Sequence, residues 1–388
     1  MRIARLGPGH ALLVAAALWH PCAVAGGRVP EETAWPETVG RARFLMGTRL
    51  SIVLAAPAPD AAFEAAFAEV ARLEGALSNW REGSEITRLN LEAAGVAFRC
   101  SPDLFGAVRA ALRWAEATGG AFDPTVEPLV RALGLRDPAG RLPEGPPRDM
   151  AGGPVGGTGV GGGPVEAPVG WRHVRVDEAS RSVAFDAPGV GLDLGGIGKG
   201  FALDAAARVL RRVGFRDALL DFGGQVLAAG SAPAGSPWPV GIAAPGRRSE
   251  AAFWIAVRDR SVSTSGNDER AIDGPAGPIG HILDPARRAP ALYEGEVTVV
   301  AREATMADAL STGLFVMGPD RGCRWAEAHG IAAVFLWRRA DGTLEHRESK
   351  EFMALARVGA AEADGARGGP ARRGRRTSAS SAPGGGGG

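Results

Sequence analysis

The sequence predicts an α+β fold, a mixed sheet with packed helices in one compact catalytic unit. Two observations carry that expectation. Strand-like runs occur both next to each other and separated by helix-like runs, which does not fit a regular βα alternation. The chain has 388 residues, 45% of them hydrophobic, and a chain of that size buries roughly three quarters of its unfolded surface. A net charge of +1 excludes a nucleic-acid binder that works through bulk electrostatics.

The elements follow in order. "RLSIVLAA", from Arg49, and "GEVTVVARE", from Gly295, have the composition of strands. "DAAFEAAFAEVARLEGALSNW" and "PDLFGAVRAALRWAEATGG" carry apolar residues at helical spacing, and the second stops at Gly119 and Gly120. "FALDAAARVLRRVG" predicts a third helix from about Phe201, stopped by Gly214 and followed by the strand-like "DALLDFGGQVLAAG". Residues 138–170 are Gly/Pro-rich without periodicity and read as an insertion, and residues 358–388 read as a disordered tail. "GTGVGG" in the insertion matches a dinucleotide fingerprint formally, but it follows no strand and opens no helix.

Residues 1–25 read as an export signal. Arg2 and Arg5 precede the short apolar run "ALLVAAALW", and "AVA" supplies a cleavage site. That places the mature chain, residues 40–357 of which form the catalytic domain, in the periplasm. Pro21 before Cys22 argues against a lipid anchor. Cys100 and Cys323 remain, with their pairing open.

The densest signal is "GLDLGGIGKGFALD", Gly191 to Asp204. A glycine turn feeding a helix start is a phosphate cradle in form, because the first amides are unpaired and the helix end is positive. Lys199 adds a cationic charge. The P-loop pattern fails, since Gly200 follows the lysine. A glycine turn with a solvated lysine fits the same residues.

Six further stretches accompany it: "FLMGTRLSIVL", "LSNWREGSEITRLN", "GGAFDPTVEPLV", "STSGNDER", "GHILDP" and "EATMADALSTGLFVMG". In this order they resemble the ApbE family of FAD:protein FMN transferases, from about Phe44 to about Trp337. The resemblance implies an ApbE-like fold and a reaction. FAD is the substrate, magnesium assists, FMN passes to a threonine of an acceptor flavoprotein, and AMP leaves. Acceptors of the family include subunits of membrane redox complexes, so membrane association would come only through the partner. Two alternatives stay open, an FAD pyrophosphatase and a periplasmic flavin-binding protein without turnover.

The resemblance also assigns residues. Asp308 and Thr312, with the Gly196 carbonyl, would hold the metal. Hard oxygen ligands suit magnesium, and i, i+4 spacing puts both side chains on one helix face. A capping box from Thr305 to Asp308 explains the same spacing without a metal. Lys199 and Asp193 would contact FAD, with Lys199 also catalytic. Met46, Trp80, Ala121, Phe122 and Asp123 map to the flavin site, and Thr264 to a loop facing the substrate. Trp80 could stack on a flavin or adenine ring or pack in the core. His281 would take the acceptor hydroxyl's proton, or hold a loop. Asp204 lies one turn beyond Lys199, where an acidic residue favours a helix dipole. The chain departs from the family at Arg287 and Arg288, at Gly83 and at Gln225.

Overall fold

A computed structural model describes residues 37–136, 168–267, 271–274 and 277–356. The export signal, the tail and almost all of the 138–170 insertion lie outside the described residues.

Eight strands form the central sheet: β1 (Thr38–Leu45), β2 (Thr48–Ala55), β3 (Ala218–Phe222), β4 (Gln225–Ala229), β5 (Arg260–Gly266), β6 (Glu296–Ala301), β7 (Ala332–Arg338) and β8 (Leu344–Glu348). They lie side by side in chain order, and every neighbouring pair is antiparallel. Six helices accompany them among the described residues: α1 (Asp60–Leu77), α2 (Glu85–Glu92), α3 (Pro102–Ala117), α4 (Glu127–Ala132), α5 (Gly198–Arg212) and α6 (Ala304–Ala328). The α+β class expected from the sequence is the one observed.

Local chemistry sets the turns. The β1–β2 hairpin closes through Met46 and Gly47, at φ 45° and 76°. The strand "DALLDFGGQVLAAG" folds back at Gly223 and Gly224, at φ 62° and 92°. Two consecutive positive φ values match the twist of the flanking strands. The two turns meet: a Cβ on Gly223 would lie 2.7 Å from Thr48 Oγ1. Ser101 caps α3 through the Leu104 N–H at 3.3 Å. α6 breaks at Gly318, φ 71°, just before Pro319.

The sheet is buried on both faces. Alternation along a strand sends neighbouring residues to opposite sides. In β7, Ala333 and Phe335 join the core beneath the helices. Ala332, Val334 and Leu336 join a second core, covered by the hairpin Trp238–Ala244/Arg247–Val257. The helix-side core is the larger. α5 packs between α1 and α6 there, which brings the start of α5 against the first turns of α6. No helix among the described residues is long and apolar enough to cross a membrane.

Candidate active site

The glycine turn is built by side chains from distant parts of the chain. Asn90 accepts from the Leu192 N–H at 2.7 Å and donates to the Leu192 carbonyl at 2.9 Å. Asn79 donates to the same carbonyl at 2.9 Å. Asp193 accepts from the Gly195 N–H at 2.6 Å and from Arg136 at 2.8 Å. Arg136 also donates to the fully buried Glu127 at 2.9 Å. Burial pushes the Glu127 carboxyl up, and Arg136 and Arg131 oppose that shift. A Cβ on Gly191 would lie 2.8 Å from a Glu127 oxygen, so the turn lies flat on this ion pair. Both Asp193 oxygens are engaged in shaping the turn.

α5 begins at Gly198, not near Phe201, so Lys199 and Gly200 belong to its first turn. Nor is the Gly200 N–H an unpaired donor. It donates to Asp308 Oδ2 at 2.9 Å. Lys199 Nζ stands 3.7 Å from the other Asp308 oxygen. A Cβ on Gly200 would fall 2.2 Å from the Ala304 carbonyl oxygen. Glycine is required here because two backbones touch.

The capping box of Thr305 and Asp308 does not form. Glu303 is the N-cap of α6 and gives no side-chain cap bond. Asp204 does the capping from α5. It accepts from the Ala304 N–H at 2.9 Å, from the Thr305 N–H at 2.9 Å and from Thr305 Oγ1 at 2.6 Å. Asp204 therefore favours a helix dipole, as its charge suggested, but that of α6 rather than of its own helix. Gln225 Nε2 donates to the Ala304 carbonyl at 2.8 Å, a structural use of a position that departs from the family.

The proposed metal ligands converge. A Cβ on Gly196 would lie 3.1 Å from Thr312 Oγ1 and 3.2 Å from the Phe122 ring. Thr312 Oγ1 donates to the Asp308 carbonyl at 3.2 Å, which leaves its lone pairs unused. Asp308 is 4% exposed. Hydroxyls line the far side of α6: Ser265 donates to Ser311 at 2.8 Å, and Ser311 to the Asp308 carbonyl at 2.9 Å. Among the described residues no three His, Cys, Asp or Glu side chains gather as a transition-metal site requires. One carboxylate, one hydroxyl and one carbonyl are a hard-cation set, of the small size that magnesium completes with water and phosphate oxygens.

Other expected residues sit differently. Phe122 fills the space between Gly196 and Gly313, and Ala121 and Asp123 are buried beside it. Asp123 is turned inward. Its oxygens accept from the Thr125 N–H and hydroxyl, at 2.9 and 2.6 Å, and from the Trp171 N–H at 2.8 Å. Burial raises its pKa against those bonds. Trp80 is 53% exposed, so it is not a core residue. Met46 is half-buried at its hairpin turn, against the helix-side core. Thr264 pairs with Thr298 at 2.8 Å. Its neighbour Val262 belongs to the hairpin-side core, so Thr264 points away from α6, while Ser263 and Ser265 point toward Ser311. The structure does not bring Thr264 to Asp308. His281 is half-buried. The segment that carries it is tied to Asn267, just beyond β5, through the Ile282 N–H at 3.4 Å. Arg287 and Arg288 stand on the Leu283–Asp284/Ala289–Pro290 hairpin, whose turn Asp284 holds through the Ala286 and Arg287 amides.

Arg136 carries no signal in the sequence, and Glu127, Ser265 and Ser311 stand only within the quoted stretches, where no spacing gives them a role. One available signal concerns Lys199. Of 44 lysines and arginines, only Lys199 and Lys350 are lysine. A chain that otherwise uses arginine keeps a compact ammonium beside Asp308.

The family model of the ApbE family matches residues 46–335. This chain belongs to the ApbE family. The FAD:protein FMN transferase of Treponema pallidum is 30% identical over 315 residues, 76% of this chain and 84% of that protein. The one of Vibrio cholerae is 29% identical over 283 residues, 72% and 80% of the two chains. Among solved structures, the flavin transferase ApbE of Vibrio cholerae superposes with TM-score 0.68 at 26% identity, covering 82% of this chain and 99% of its own. The ApbE protein of Thermotoga maritima gives 0.70 at 28%, with the same coverage. The match takes in every proposed ligand of the metal, the glycine turn and Lys199.

Proposed function

We propose that this chain is an exported, magnesium-dependent enzyme that transfers FMN from FAD to a threonine hydroxyl of an acceptor flavoprotein and releases AMP. The observation that carries the reading is the meeting of Gly196, Lys199, Asp308 and Thr312 at the α5–α6 contact. The transferase names of the relatives support it.

The donor set fits magnesium: oxygen only, one anionic, with Gly196 leaving open the space a Cβ would fill against Thr312 Oγ1. When bound, magnesium would offset charge that builds on the phosphate oxygens. Asp308 would supply the single carboxylate, Thr312 Oγ1 a neutral donor and Gly196 a carbonyl. Lys199 would direct its ammonium at the pyrophosphate, a second offset placed before the reaction starts. The acceptor threonine oxygen would form a bond to the FMN phosphorus. The bond from that phosphorus to the bridging oxygen would break, and AMP would leave with that oxygen. A ring nitrogen of His281 would take the threonine proton. Phe122 and the buried run around it would shield the site from water, and Trp80 offers an exposed indole for stacking.

The N-terminal charge and apolar pattern support export to the periplasm, where a subunit of a membrane redox complex would be the acceptor. Intact-mass measurement of exported protein should find a chain starting near Gly26. An acylated Cys22 would overturn the unanchored form. The activity is tested by incubating protein, FAD and magnesium with and without a threonine-bearing flavoprotein. Flavin covalently on the acceptor, with AMP released only in its presence, is the expected result. Steady AMP release without acceptor makes the chain a pyrophosphatase, and no AMP in either arm makes it a binder.

A further inference from the structure

We infer that Asp204 is a positioning residue for the metal ligands, acting from α5 to set where α6 presents Asp308 and Thr312. The inference rests on the proposed magnesium site. The bonds of Asp204 go to Ala304 and Thr305, not to a proposed ligand of the metal.

Three contacts hold the first turn of α6. Asp204 takes both leading amides and the Thr305 hydroxyl. Gln225 holds the Ala304 carbonyl from β4. Gly200 lets the α5 backbone lie directly on that carbonyl. Asp308 stands one turn farther along α6, and its carboxylate closes the loop by accepting the Gly200 N–H. Asp204 and Gly200 are one turn apart on α5, as Ala304 and Asp308 are on α6. The two helices are thus joined by two reciprocal carboxylate–amide clasps. One lies at the metal ligand and one is a turn away.

The clasps have different consequences. The glycine turn that supplies Gly196 runs straight into α5, while Asp308 and Thr312 ride on α6. The ligand set is therefore split between two rigid pieces. Its geometry is fixed only as well as α6 is fixed along and about its own axis relative to α5. Asp204 bonds two successive amides at once, which defines both translation and rotation. A cap at position 303 would also stabilise α6 but would leave its register to α5 undefined. Metal ligation tolerates errors of only a few tenths of an ångström, so loss of this register should appear in metal affinity before it appears in the fold.

The test uses Asp204→Asn and Thr305→Val in the mature chain. Asn keeps one acceptor and loses the charge, and Val removes one of the three bonds while keeping the side-chain shape. Mn2+ binding is measured by electron paramagnetic resonance without FAD, and flavin transfer is titrated with magnesium. Asp204→Asn is expected to weaken Mn2+ binding at least tenfold, with Thr305→Val between it and the parent. Turnover at saturating magnesium should return to within threefold of the parent, so the deficit lies in the magnesium requirement and not in kcat. A lower melting temperature with parent-like Mn2+ affinity in both variants overturns the inference and leaves Asp204 a plain cap. If Asp204→Asn does not fold, a parent-like Mn2+ affinity in Thr305→Val overturns it alone. A parent that binds no Mn2+, or an Asp308→Asn variant that binds it as tightly as the parent, overturns the magnesium reading first and this inference with it.

Discussion

Replacing Asp308 by Asn separates a metal ligand from a structural acid. The side chain keeps its size, and its remaining oxygen can still accept the Gly200 N–H now bonded at 2.9 Å. What changes is charge. A charge-assisted bond becomes a neutral one, a loss of about 1 kcal/mol. The new amide hydrogens also face Lys199, whose Nζ stands 3.7 Å from the carboxylate and whose side chain is about a third exposed. Asp308 is buried, but the ammonium end of the pair is open to solvent and stands beyond hydrogen-bond distance, so the pair contributes about 1 kcal/mol. The fold should therefore lose no more than about 2 kcal/mol, a fall of about 3–6 °C in Tm. Catalysis should lose far more, because the only anionic ligand of the set is gone. Turnover should fall at least about a hundredfold, the equivalent of roughly 3 kcal/mol in the barrier. Excess magnesium should restore part of it through Thr312 and the Gly196 carbonyl. Flavin transfer titrated with magnesium, beside a thermal melt, reads both quantities. Wild-type turnover at low magnesium would refute the assignment and leave Asp308 as the acceptor that holds α5 to α6.

Three more expectations follow from the same geometry. An amine-selective reagent has only Lys199, Lys350 and the N-terminus to label; FAD with magnesium should protect Lys199 and leave the exposed Lys350 unchanged, as peptide mapping would show, and equal labelling would remove Lys199 from the site. Deleting residues 151–165 should leave Tm and FAD affinity nearly unchanged, since Arg136 on one flank is held by Glu127 and Asp193, and Gly170 on the other donates to Thr125 at 2.7 Å; a clear loss of FAD affinity would show that the insertion serves the site. Cys100 and Cys323 are buried and free, and burial pushes the Cys100 thiol up to about 12, so it stays protonated and unreactive below that pH; alkylation at pH 8 should touch neither cysteine until the protein unfolds, and rapid native labelling would contradict the burial.

The parts of this molecule that can be read in the sequence are local. "PDLFGAVRAALRWAEATGG" gives its helix because the apolar spacing, the preceding serine and the closing glycines all lie within one stretch. The glycine turn and Lys199 announce a site for the same reason. Asp204 could not be placed that way. Its partners stand 100 and 101 residues on, and a first-turn acid looks the same whether it serves its own helix or another. The face on which Thr264 stands could not be read from its strand. "STSG" is polar at every position, so alternation cannot say which residues face α6; Val262 decides it only once the second core is known. Trp80 was ambiguous because aromatic residues occupy cores and binding faces alike. Asp123 and Asp193 lie where the flavin site was expected, yet their carboxylates are engaged by backbone amides and Arg136, partners that no spacing rule reveals.

The split between α5 and α6 has a consequence in time. The Gly200 amide and the Asp308 carboxylate that meet in the finished protein are 108 residues apart. A chain grows from its N-terminus at roughly 5–20 residues per second. The glycine turn and its lysine therefore exist for roughly 5–20 s before Asp308 and Thr312 have been made. For that interval the growing chain carries half of the proposed site and no complete ligand set. Any product that stops short of α6, whether from a frameshift or from proteolysis, should hold the most recognisable motif of the sequence and have no activity at all.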